Sequence, residues 1–145
     1  MRNRTIIIGC GKLGASIAND ASLAGGNVVV LDTNPDSFSR LDQNFSGFPI
    51  TGDATDPHEL VNAGIESANE VVITTGNDNV SLLLTHMCAE KYGVPYIYVR
   101  FDDPEKGLLI QGLEGVRVIY PFQLSRNRFN LLQGKEEGEE GDDAE

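Results

Sequence analysis

The residues of this sequence with the clearest chemical capacity form a glycine-spaced hexapeptide, Gly9-Cys10-Gly11-Lys12-Leu13-Gly14, with Asp32 lying 23 positions after Gly9. Glycine at the first position permits a tight turn. At the second it lets a phosphate approach the backbone, and at the third it lets a helix pack closely on a sheet. Amides left free at the start of that helix, with the positive end of its dipole, attract a pyrophosphate. A carboxylate at Asp32 can accept both hydroxyls of a ribose. It would repel a 2′-phosphate, so the pattern favours NAD or an adenine nucleotide over NADP. Lys12 either neutralises further phosphate charge, as on a nucleoside di- or triphosphate, or is a solvated lysine, and the residues leave both open. Glycine triplets arise by chance. Here, however, the turn follows an apolar run, opens a helical pattern and precedes a second run that closes on an acid.

Further polar residues recur at the ends of apolar runs. Asp53, Ala54 and Thr55 follow the third run and either bound an adenine pocket or organise a turn. Thr75 and Gly76 follow the fourth and begin a helix beside the phosphates or merely cap it. Arg100 ends the fifth and either meets an anionic partner or pairs with Asp102 or Asp103. Catalytic groups are harder to place. His58 falls in the first turn of a helix and His86 in mid-helix, Cys10 has no evident activator, and no Ser–His–Asp or metal-ligand spacing occurs. A dehydrogenase would also need a substrate half. The expectation is a sensor or regulatory module rather than a catalyst, the alternative being the cofactor-binding half of an NAD-dependent oxidoreductase that borrows a substrate domain.

The elements that must position these residues alternate. Thr5–Ile8 reads as a strand buried on both faces, followed by a helix with Leu13, Ile17, Ala21 and Ala24 on one side and Gly25-Gly26 as its stop. Asn27 to Leu31 is a second strand. Asn34 then caps a helix with Pro35 at its first position and Phe38, Leu41 and Phe45 on its buried face. Phe48–Thr51 is a third strand that its proline assigns to an edge. Asp56-Pro57-His58-Glu59 reads as a capping box for a helix ending near Gly64. Glu70–Thr74 is a fourth strand, and Asn79–Lys91 a helix with Val80, Leu83, Leu84 and Met87 inward. Tyr96–Arg100 is a fifth strand, followed by a helix from Asp103-Pro104 to about Gln111. Val116–Tyr120 is a sixth, and Pro121 leads an amphipathic segment carrying Phe122, Phe129 and Leu132. Six strands alternating with helices predict an α/β fold, a Rossmann-type doubly wound parallel sheet in order 3-2-1-4-5-6. In such a sheet the strand ends named above converge on one crevice.

The 145 residues suit one domain, 40% hydrophobic and 23% charged, with no apolar run near the ~20 residues of a membrane span. No signal peptide follows the basic start. Cys10 and Cys88 lack CxxC or metal spacing, which fits a reduced cytoplasmic setting with Cys88 as core filler. Net charge is −11, of which residues 135–145, with seven acids and one lysine, carry −6. So acidic a chain is a poor partner for nucleic acid. The domain is expected over 1–133, with 134–145 an acidic disordered tail.

Together these segments resemble the N-terminal domain of the RCK family, which regulates potassium conductance and includes the TrkA and KtrA subunits of bacterial potassium uptake systems. The resemblance runs from residue 4 to about 133. It is carried by Ile6–Gly14, Asp32, Gly52–Thr55, Ala63–Ile65, Thr74–Asp78, Arg100 and Gly115–Pro121. It implies a cytoplasmic gating subunit, peripheral at the cytoplasmic face of the membrane, docked on a potassium transporter or channel subunit. It also implies binding of NAD(H), ATP or ADP, and assembly as dimers within a homo-oligomeric, octameric ring. Nucleotide contacts would fall on Gly9–Gly14, Asp32, Asp53-Ala54, Thr75-Gly76 and Arg100. Lys12 stands where related subunits often carry an arginine that reaches a terminal phosphate, a change that leaves ATP and NAD both open. The segment after Pro121 would cross to a neighbouring subunit. Family chains commonly continue into a C-terminal ligand-binding domain, so this is expected to be a one-domain member, or a chain completed by a separate partner that supplies that part, or a piece of a longer chain.

Overall fold

The structure is a computed structural model that describes residues 3–134. Its six strands are β1 (Arg4–Ile8), β2 (Asn27–Asp32), β3 (Phe48–Thr51), β4 (Ala68–Ile73), β5 (Tyr96–Arg100) and β6 (Val116–Ile119). All pair in parallel, in the order β3-β2-β1-β4-β5-β6, as the alternation predicts. The helices are α1 (Lys12–Leu23), α2 (Pro57–Asn62), α3 (Asp78–His86), α4 (Pro104–Leu108) and α5 (Pro121–Leu132). Short 3-10 helices span Pro35–Arg40 and Ile65–Ser67.

The sheet is covered on both faces because its central strands have no polar side to offer water. Along β1, Ile6 and Ile8 point into one core with Val29, Leu31, Val71, Ile73, Leu60 of α2 and Leu84 of α3. Ile7 points the other way, onto Val28, Val30, Val72 and the small Ala15 and Ala18 of α1. β3 lies at the edge, where the missing N–H of Pro49 costs no ladder bond.

Some boundaries differ from the pattern-based expectation. The helix after Asn34 is a single 3-10 segment ending at Arg40, although Phe38, Leu41 and Phe45 still pack on the second core. Its continuation is pinned to α1 instead: the Asn19 amide donates to the Arg40 carbonyl and its oxygen accepts the Asp42 N–H. Asp56 caps α2 by accepting from His58 N–H. The Asp56 N–H itself goes to the Asp53 carbonyl, so the return bond of a capping box does not form. In α3, Leu83 is 49% exposed rather than inward, and Ser81 and Thr85 are buried in its stead. Two hydroxyls can sit there because one bonds Thr75 and the other the Ser81 carbonyl. The chain past His86 widens into a π-helical turn, Met87–Lys91. α4 stops at Leu108 rather than Gln111. Cys88 is buried, and burial pushes its thiol up to about 12. The acidic stretch 135–145 lies outside the described residues.

Candidate functional site

The carboxyl ends of the strands enclose a cleft of about 680 Å³ where strand order reverses between β1 and β4. One wall comes from the ends of β1, β2 and β3, and the other from those of β4 and β5. Ile8, Leu31, Ala54, Val80 and Leu84 supply apolar lining, and the remainder is glycine or polar.

The glycine turn has the division of labour its spacing predicts. Gly9 holds φ +99°, a left-handed conformation, with Thr74 backbone 3.0 Å from where a Cβ would stand. A Cβ on Gly14 would run into the Gly9 carbonyl oxygen and stand 2.6 Å from the Thr74 hydroxyl. Gly11 is the opposite case, since nothing lies within 4 Å of its Cβ position. Gly11 is also the N-cap of α1 and has no side chain to satisfy the first amides. Asn34, Asp56, Asn77 and Asp103 do cap their own helices with side-chain oxygens. The amides of Lys12, Leu13 and Gly14 therefore precede the first intrahelical bond, which runs from Ala15 N–H to the Gly11 carbonyl.

Asp32 bounds the cleft at the end of β2. One carboxylate oxygen accepts the Cys10 N–H at 2.7 Å and the other the Asn34 N–H at 2.8 Å. The carboxylate thus shapes the glycine turn while keeping lone pairs for a ligand. Asp53 accepts from both the amide and the hydroxyl of Thr55, at 2.9 and 2.7 Å, and these bonds hold its carboxyl below the ordinary range. It lines the cleft and organises its turn.

Across the cleft, the Thr74 hydroxyl lies 3.2 and 2.9 Å from the Ile8 and Gly9 carbonyls, joining β4 to the glycine turn. Thr75 is engaged in the cap of α3, through Asn77 and Ser81, while Gly76 is open. Arg100 lines the cleft with its guanidinium turned to Asp102, Nε at 3.2 Å and Nη2 at 3.0 Å. The Asp78 carboxylate in turn accepts the N–H groups of Asp102 and Asp103.

Of the residues singled out from sequence, Gly9, Gly11, Asp32, Asp53, Ala54, Thr55, Thr75, Gly76 and Arg100 line the cleft. Cys10, Lys12, Leu13 and Gly14 do not. The Cys10 side chain is buried in the second core, its thiol donating to the Ser37 carbonyl at 3.4 Å. Burial and the Asp32 charge push that thiol's pKa up, against a lowering by Arg40. Lys12 is exposed, and Gly14 lies beneath the turn. Thr33, Ser37 and Arg40 also line the cleft and are not marked by the sequence, and Thr74 and Asn77 line it as well, though the sequence singles out neither as a nucleotide contact. Thr74 and Asn77 stand at a strand end and were within reach of that rule. Arg40 stands eight residues beyond Asp32, outside the Phe38, Leu41 and Phe45 stripe of its segment, and no sequence signal marks it. Among the described residues no cluster of His, Cys, Asp or Glu is suited to a metal, and no helix is long and apolar enough to cross a membrane.

Comparison with known proteins agrees with this architecture. Residues 5–121 match the TrkA-N domain. The chain is 33% identical over 108 residues to the Trk system potassium uptake protein TrkA of Streptomyces coelicolor, covering 74% of this chain and 48% of that one. It spans about half the length of the curated relatives it matches. Among solved structures, the TrkA-N domain of the inner membrane protein ybaL from Escherichia coli superposes with a TM-score of 0.77 at 17% identity, covering 91% and 98% of the two chains. The GsuK channel bound to NAD gives 0.71 at 19%, covering 89% of this chain and 23% of that one. At such identities the structural likeness speaks to the fold, whereas the match over residues 5–121 speaks to descent: the chain belongs to the TrkA-N domain family.

Proposed function

We propose that this chain is a nucleotide-binding regulatory domain of a potassium uptake system or potassium channel, sensing NAD(H) or ATP/ADP and passing that state to a membrane partner. The observation that carries the reading is the pairing, in one cleft, of an uncapped α1 start over an open Gly11 with the Asp32 carboxylate. The first offers amides to a phosphate and the second offers acceptors to a ribose. Family membership gives this cleft its context, since the TrkA relative is a potassium uptake protein and the GsuK channel binds NAD.

A ligand that gates must bind two states unequally, because equal affinity shifts nothing. The face that would transmit the difference is apolar and open. Leu108 and Leu109 after β5, and Phe122, Phe129 and Leu132 on α5, are each at least 57% exposed. Exposed apolar side chains of this kind support docking on a second copy, on a chain supplying a C-terminal domain, or on the transporter at the cytoplasmic face of the membrane.

Calorimetric titration with NADH, NAD, ATP and ADP tests the binding half, and absence of binding by all four refutes it. Potassium flux through the partner transporter, with and without the chain and its nucleotide, tests the regulatory half. Steady turnover of NADH with a carbonyl substrate would move the reading to an oxidoreductase. A single monodisperse monomer by light scattering, unchanged by co-expressed neighbouring gene products, would refute the oligomeric assembly.

A further inference from the structure

Beyond Asp32 the chain stays at the rim of the cleft. The 3-10 helix Pro35–Arg40 runs along it, and Thr33, Ser37 and Arg40 all line it. Arg40 is fixed from two directions. Its Nη1 donates to the Cys10 carbonyl at 3.3 Å, and its own carbonyl accepts from the Asn19 amide of α1 at 3.4 Å. Asp32 takes the N–H of that same Cys10. Carboxylate and guanidinium therefore hold the two polar groups of one residue of the glycine turn, and both line the cleft beside it.

This corner holds donors without acceptors. Arg40 makes no ion pair among the described residues, and the hydroxyls of Thr33 and Ser37 make no hydrogen bond there. Four of the five guanidinium N–H groups remain for a ligand. Asp32, by contrast, already receives an N–H on each oxygen, one of them from the same Cys10 whose carbonyl Arg40 holds. We infer that Thr33, Ser37 and Arg40 form a subsite for a phosphate carried on the ribose of the bound nucleotide, so that 2′-phosphorylated adenine nucleotides, NADP among them, fit a cleft whose Asp32 alone would refuse them. The inference rests on the nucleotide reading above and extends its ligand class. A phosphate suits a guanidinium fork, and an arginine near the ribose is how Rossmann crevices accept a 2′-phosphate. Lys12, exposed and outside the cleft, takes no part in this subsite.

The test is calorimetry on the full chain with 5′-AMP, adenosine 2′,5′-bisphosphate, NAD and NADP at one fixed salt concentration. Each 2′-phosphorylated ligand should bind at least as tightly as its unphosphorylated counterpart. Arg40→Ala should weaken the 2′-phosphorylated pair by about tenfold or more, the scale of a charged hydrogen bond, and the other pair by less than about threefold. Arg40→Lys should keep part of the preference. Should Arg40→Ala fail to fold, Thr33→Val with Ser37→Ala must shift the same ratio in the same direction. The inference is overturned if the native chain binds the 2′-phosphorylated pair tenfold more weakly, or if Arg40→Ala weakens all four ligands equally. Binding by none of the four overturns the nucleotide reading itself.

Discussion

Replacing Gly11 and Gly14 separately by alanine should split binding from folding. At Gly14 the added methyl would collide with the Gly9 carbonyl and stand 2.6 Å from the Thr74 hydroxyl, all within the β1–β4 seam. Neither obstacle is the far end of a flexible side chain, so helix and turn must move apart. Overpacking of this sort costs about 3 kcal/mol, near the top of the usual range. For a domain of this size that lowers the melting temperature by about 10 °C. At Gly11 the methyl meets nothing within 4 Å, and the backbone at φ −76° and ψ −165° suits any residue. Alanine is a poorer N-cap than glycine, but it restricts the unfolded chain by about 0.4–1 kcal/mol in compensation, so the net change should be near zero. The methyl would nonetheless fill the space through which a phosphate reaches the α1 amides. Thermal melts and nucleotide titrations of the two variants give the answer. Gly11→Ala should melt within about 2 °C of the native chain and bind at least tenfold more weakly. If Gly11→Ala binds normally, the phosphates do not lie on this turn and the site assignment fails.

Asp32→Asn should lose binding about tenfold or more by titration, and should also cost roughly 1 kcal/mol of stability. Its single carbonyl oxygen cannot serve both the Cys10 and Asn34 N–H groups that the carboxylate now accepts. Alkaline denaturation should report Cys88. Its thiol is held protonated to about 12 in the fold against 9.0 when unfolded. The unfolded chain therefore binds fewer protons between those values, and stability should fall by up to about 1.4 kcal/mol per pH unit above pH 9. Cys88→Ala, though less stable at pH 7, should show a shallower decline in denaturant melts taken from pH 9 to 11.

Much of this molecule can be read from its sequence because local signals agree with the global arrangement. The unbroken apolar runs of β1, β2 and β4 announce a sheet covered on both faces. Asn34, Asp56 and Asp103, each before a proline, announce helix starts that the structure bears out. The glycine turn and Asp32 likewise locate the cleft. Tertiary contacts decided the rest. Leu83 fits an inward helical pattern as well as Ser81 does, and only the Thr75 hydroxyl makes the serine the better buried residue. Arg40 reaches the glycine turn because Asn19, on a different element, anchors the segment that carries it. Lys12 is a different case, since the sequence leaves it either a phosphate contact or a solvated lysine and its side chain is exposed in the fold.

The seam at which Thr74 joins β4 to the glycine turn divides the sheet into two unlike halves. The three strands of residues 4–51 lie on one side, and those of residues 68–119 on the other. A molecule in the cleft would touch both, and so would act as a staple across that seam. Ligand present at a hundred times its dissociation constant adds about 2.7 kcal/mol to the folded state. That corresponds to a rise of about 10 °C in melting temperature for a domain of this size. A library of nucleotides ranked by thermal shift would thus report which of them bridges the two halves of the sheet.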